Sequence, residues 1–150
     1  MAVHYLFISA ALLQLFYVAV RDLTTWRISN GSNLALAVTF VIYRLAVGDV
    51  QLLLLHGLVA AFTLLFLLFP FAKGWIGGGD AKFLVVAMLW VGSECALVFS
   101  LTLTLCTLIY VAVSRYGMAP QAAAGARQRI PFGCPGAAGL GLALLFCGMP

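Results

Sequence analysis

The sequence predicts an all-α fold, a polytopic membrane bundle of about six transmembrane helices forming one domain over residues 1–150. Three observations predict it. Of the 150 residues, 65% are hydrophobic and only 8% charged, whereas a soluble domain carries about 25% charged residues. The apolar residues fall in long runs rather than stripes, and helices apolar all round belong inside a large protein or in lipid. A chain this short cannot bury several such helices in its own core. The basic residues, finally, alternate between connections in the way that a membrane sorts them.

The elements follow in order. A first apolar run covers 2–20, near the roughly 20 residues that cross a bilayer. Only His4 precedes its core and Arg21-Asp22 closes it. A signal peptide has a basic start, a shorter core and a small-residue cleavage site, so a retained first helix is expected. The polar stretch 21–33 leads to a second span at 34–47, and Gly48-Asp49 forms a tight turn into a third at 52–72. A second polar island, 73–82, introduces a short fourth span at 83–91. Gly92-Ser93-Glu94 turns into a fifth at 95–113, and a long connection, 114–131, precedes a Gly-rich sixth at 132–149.

Charge tests this count. The first, third and fifth connections hold Arg21, Arg27, Lys73, Lys82, Arg115, Arg127 and Arg129, every basic residue except Arg44, while the second and fourth hold Asp49 and Glu94. Lys and Arg bias connections toward the cytoplasm, so the odd connections are expected there and both termini outside. The net charge of +4 is explained by the same rule. No basic run tracks a phosphate backbone, and nucleic-acid binding is excluded on that ground. Cys95, Cys106, Cys134 and Cys147 form no CxxC pair and have no His at ligand spacing. They are expected to be small apolar packing residues, with no metal site and no disulfide framework. Trp26 and Trp75 are expected to be interfacial anchors.

This topology sets Asp22 and Asp80 at the same membrane face on different helices, and Asp49 and Glu94 at the other. An ionisable residue at a membrane boundary is a functional hypothesis by default. Two carboxylates within hydrogen-bond reach do not both ionise readily; one keeps its proton. Aspartyl hydrolysis needs that division, since the ionised member takes a proton from water while the protonated member donates to the scissile carbonyl. Gly77-Gly78-Gly79 before Asp80 is expected to supply unusual backbone angles and close approach. The plainer roles for these residues are a helix cap, a turn and topology determinants.

The two polar islands also carry a resemblance. Asp22-Leu23-Thr24-Thr25-Trp26-Arg27-Ile28-Ser29-Asn30 resembles the first motif of the type IV prepilin peptidases, an Asp followed at fixed distance by Ile-Pro-Asn. Gly77-Gly78-Gly79-Asp80-Ala81-Lys82 is similar to their second, GxGD followed by x-K, and Ile130-Pro131-Phe132 is similar to their entry into the last helix. The resemblance implies a membrane aspartyl endopeptidase of a bacterial inner membrane, acting at its cytoplasmic face. It would remove the basic leader from prepilin or pseudopilin precursors, its protein partners beside the lipid bilayer. Asp22 and Asp80 would be catalytic, with Gly77, Gly79, Lys82 and Asn30 supporting, and with no cofactor or metal. Ser29 stands where the family has Pro. Lacking the CxxC pairs of the N-methyltransferase region, the chain resembles the short form of Flp-type, tight-adherence pilus systems. A preflagellin peptidase shares the architecture. A presenilin-type GxGD protease would carry Tyr-Asp within a helix, whereas Asp22 follows Arg21; a non-enzymatic transporter or pilus assembly factor would use the aspartates for proton relay or docking.

Overall fold

A computed structural model describes residues 2–116 and 131–147. Residues 117–130, with Arg127, Arg129 and Ile130, and the predicted end of the sixth span at Met149 lie outside the described residues. Among these there are six helices and no strand: α1 (Ala2–Thr25), α2 (Asn30–Val47), α3 (Val50–Ala72), α4 (Gly78–Val91), α5 (Ala96–Arg115) and α6 (Gly133–Cys147). The all-helical expectation holds, and α1, α2, α3 and α5 are each long and apolar enough to cross a membrane. Large apolar side chains such as Phe62, Phe66 and Leu97 are more than two-thirds exposed, at 71%, 79% and 72%. In water such surface would be a liability; in lipid it is the solvent-facing side.

Local chemistry places the helix ends. Ser29 caps α2, its hydroxyl accepting from the Ser32 N–H, and Asp49 caps α3 by accepting from the Leu52 N–H. Both following turns close with a left-handed glycine: Gly48 after α2, and Gly74 after α3 with φ of 69°. Around Gly74 the N–H groups of Gly74 and Trp75 return to the carbonyls of Phe71 and Pro70, which satisfies carbonyls that the helix end leaves open.

Three predicted boundaries shift. α1 continues past residue 20 to Thr25, so Asp22 is helical rather than part of a loop. α2 begins at Asn30 instead of 34. α4 begins at Gly78, so two of the three glycines and Asp80 form its first turn. Hydropathy marks where apolar surface ends, and these helices run beyond that point into the polar boundary.

The helices pack as α1 against α2 and α6, α3 against α4, and α5 against α6, with α4 also touching α2, α5 and α6. The Gly- and Ala-rich α6 is buried along most of its length. Small residues let membrane helices approach closely, and a Cβ on Gly139 would lie 2.8 Å from the Leu103 Cα. The Thr102 hydroxyl donates to the Gly139 carbonyl at 2.9 Å across the same contact.

A disulfide joins Cys95, before α5, to Cys147 at the end of α6, with Cα atoms 6.3 Å apart. This corrects the expectation that all four cysteines only pack. The pair is 52 residues apart and has no local motif; only the antiparallel α5–α6 packing brings it together. Cys106 and Cys134 are free.

Candidate active site

The α1–α2 and α3–α4 connections meet the start of α6 at one end of the bundle. There the exit of α1, the entry of α4 and the entry of α6 enclose an open cavity of about 630 Å³, lined by Asp22, Trp26, Ile28, Gly77, Gly79, Asp80 and Phe132 among others. Both predicted carboxylates therefore face one space, from different helices.

Asp22 lies in the last turn of α1 and is only 3% exposed. Its Oδ2 accepts the Gly133 N–H at 2.6 Å, and the Cys134 N–H also reaches it. These are the first two residues of α6, whose free N–H groups and positive dipole end make a fixed cradle for a negative charge. A Cβ on Gly133 would lie 2.9 Å from Asp22 Cβ, Cγ and Oδ2, so the contact requires glycine.

Asp80 is different. It sits in the first turn of α4, ahead of that helix's apolar stretch, and its carboxyl has no hydrogen-bond partner among the described residues. Burial, reinforced by the charge of Asp22, pushes its pKa up to about 6. Both carboxyls are taken out of water; Asp22 has two N–H donors that favour its charged form, whereas Asp80 has none among the described residues and faces the charge of Asp22.

The glycines act by size more than by angle. Gly77 precedes α4 with φ −68° and ψ 144°, an ordinary extended conformation, and Gly78 and Gly79 are helical; this corrects the expected unusual angles. A Cβ on Gly79 would meet the Ile28 carbonyl oxygen at 3.0 Å, and one on Gly77 would meet Asp80 Oδ2 at 3.0 Å. The expected close approach is present, between the two polar islands themselves. Asn33, 4% exposed, donates to the Gly79 carbonyl at 3.3 Å and fastens α2 to the entry of α4.

Asn30 and Lys82 are also brought together, with Lys82 Nζ donating to Asn30 Oδ1 at 3.0 Å. Ser29 has φ −76° and ψ 145°, within the range that proline imposes, so the replacement leaves the backbone course open to either residue. Trp26 and Trp75, expected as anchors, both line the cavity, and Trp26 holds a positive φ of 56°. Such a conformation is uncommon for a bulky residue and gathers at functional sites. Sequence reasoning missed Gly133, Cys134 and Asn33. The signal for the first two was a glycine opening a predicted helix after Pro131-Phe132; for Asn33 none was present.

A family model described as the Type IV leader peptidase family matches residues 9–112. No curated protein and no solved structure matches the chain.

Proposed function

Because the chain belongs to the Type IV leader peptidase family, we propose that it is a membrane aspartyl endopeptidase whose catalytic pair is Asp22 and Asp80. The observation that carries the proposal is the shared cavity, reached by both carboxylates from separate helices. Asp22, its charge held by the start of α6, is the base that takes a proton from water. Asp80, with its raised pKa, is the acid that donates to the scissile carbonyl. As the tetrahedral diol collapses the C–N bond breaks, the departing amine takes the proton held by Asp22, and Asp80 recovers its proton from a diol hydroxyl, which returns the pair to its starting state. Gly77 and Gly79 keep the wall thin enough for an extended peptide, and the Lys82–Asn30 pair holds the entries of α2 and α4 in register.

The substrate is a prepilin or pseudopilin precursor with a basic leader, of the Flp type in keeping with the short-form resemblance, cut at the cytoplasmic face. Two features support that face. Arg27 lines the cavity, Arg21 and Lys82 line the groove beside it and Lys73 caps α3 next to the cavity residue Gly74, and the Cys95–Cys147 bond lies at the other end, as expected where disulfides persist in the oxidising compartment.

Co-expression with a candidate Flp-type prepilin tests this by gel shift, comparing wild type with Asp22→Asn and Asp80→Asn at equal membrane levels. Cleavage by the wild type alone is expected. Cleavage by both variants would make the aspartates structural. Failure of all three across several prepilins would move the assignment to a non-enzymatic assembly factor.

A further inference from the structure

Beside the catalytic cavity lies a second groove, of about 460 Å³, sharing Arg27, Ile28, Gly78 and Gly79 with it. Its walls carry three cations, Arg21, Arg27 and Lys82, and no carboxylate. Two helices begin in it, α2 at Asn30 and α4 at Gly78, so unpaired N–H groups and two positive dipole ends add to the cations. Arg21 is held by Tyr17, donating to its hydroxyl at 2.7 Å, and Lys82 by Asn30 at 3.0 Å. The Arg27 guanidinium has no partner among the described residues. All three are exposed along one groove, so their charges act together on an anion that enters it.

We propose that this groove holds the phosphate of an anionic phospholipid headgroup. Depth selects the lipid over a free ion. Apolar surface starts immediately along α1 from Arg21, where Val20 and Phe16 are exposed at 44% and 70%, so the mouth of the groove stands at headgroup level. A multi-oxygen anion also suits the arrangement, since cationic side chains and helix N-termini both hold phosphate. The consequence for catalysis rests on the peptidase reading. A basic leader approaching Arg21, Arg27 and Lys82 meets repulsion, and a bound phosphodiester, one negative charge set among three positive ones, weakens that repulsion.

The test is native mass spectrometry on the full chain in detergent, titrated with phosphatidylglycerol, with phosphatidylcholine and with inorganic phosphate. Phosphatidylglycerol is expected to bind selectively, and Arg27→Gln to weaken it about fivefold, the factor given by roughly 1 kcal/mol per cation. Arg21→Gln added to it should weaken binding about as much again, while Arg27→Lys, which keeps the charge, should bind nearly as wild type. Asp80→Asn should also bind as wild type, which separates this site from the peptidase assignment. Equal phosphatidylglycerol binding by the Gln variants would overturn the site, as would Arg27→Lys failing as badly as Arg27→Gln. Inorganic phosphate binding as tightly as the lipid, without lipid selectivity, would overturn the lipid assignment in favour of a free anion.

Discussion

Asp22 and Gly133 are 111 residues apart in the chain and joined by a buried 2.6 Å hydrogen bond from the Gly133 N–H to the Asp22 carboxylate. This brings the start of the last described helix to the candidate site, although α6 lies beyond the residues 9–112 that match the family model. A hydrogen bond to a charged group contributes about 1.5–3 kcal/mol, which works against the cost of burying the Asp22 carboxylate.

Gly133→Ala should therefore damage activity more than folding. The added methyl would lie 2.9 Å from three Asp22 side-chain atoms, and the carboxylate must move. A displacement near 1 Å at a catalytic group costs about 10²-fold in rate. Gly136→Ala is the control: its Cβ would strike the Phe83 ring at 2.9 Å, stressing packing away from the carboxylates. Leader-cleavage rates and thermal midpoints of the two variants check this. Equal effects of both on rate at equal stability would remove the special role of Gly133.

The pH dependence follows from Asp80. Its pKa is raised from 3.8 to about 6 by burial and by Asp22, so the protonated acid is depleted above pH 6 and cleavage should fall on that alkaline side. Stability moves the same way. A carboxyl whose folded pKa exceeds its unfolded value contributes most below the unfolded value, and that contribution is lost as pH rises through the folded one. Between about pH 4 and pH 6 the wild-type thermal midpoint should decline from this group, and Asp80→Asn should abolish the decline. A variant no more stable than wild type at pH 8, with an unaltered pH profile, would contradict the assigned environment.

What could be read from the sequence divides along physical lines. The helix count and the meeting of Asp22 and Asp80 at one end of the bundle were legible because long apolar runs and the spacing of polar islands with Lys73 and Lys82 mark them, although only four of the six described helices are long and apolar enough to cross a membrane. Helix ends were not, since α1 and α4 extend through polar residues that hydropathy assigns to loops; capping by Ser29 and Asp49 was the available local clue. The Asp22–Gly133 contact, the Asn33–Gly79 tie and the Cys95–Cys147 bond all depend on which helices pack side by side. Nothing in a single run of residues encodes that.

Ser29→Pro should be tolerated. The native φ of −76° already matches proline, and the Ser29 N–H makes no hydrogen bond among the described residues. Losing the hydroxyl cap of α2 costs about 1 kcal/mol, and the stiffer unfolded chain returns about 0.4–1 kcal/mol. Ser29→Ala loses the cap without that return and should be the less stable of the two. Thermal unfolding in detergent, with cleavage measured alongside, would decide; a Pro variant that folds but cannot cleave would show that the Ser29 hydroxyl matters to the chemistry.

Orientation can be tested through the cysteines. Cys134 stands at the cavity end, beside Asp22, and is free, whereas Cys95 and Cys147 are bonded to one another at the opposite end. If the cavity faces the cytoplasm, the bonded pair faces the oxidising side, and charge and redox chemistry agree on one topology. In intact spheroplasts, a membrane-impermeant reductant followed by an impermeant maleimide should label Cys95 and Cys147 and should leave Cys134 unmodified. Cys95→Ser and Cys147→Ser identify the labelled sites. Because a 52-residue separation is closed by the bond, either variant should also unfold more easily, by about 2–4 kcal/mol. Labelling of Cys134 from outside in sealed cells, with the bonded pair protected, would invert the topology. Cleavage would then have to occur on the far side of the membrane, where the four basic side chains around the cavity would no longer face the anionic cytoplasmic leaflet.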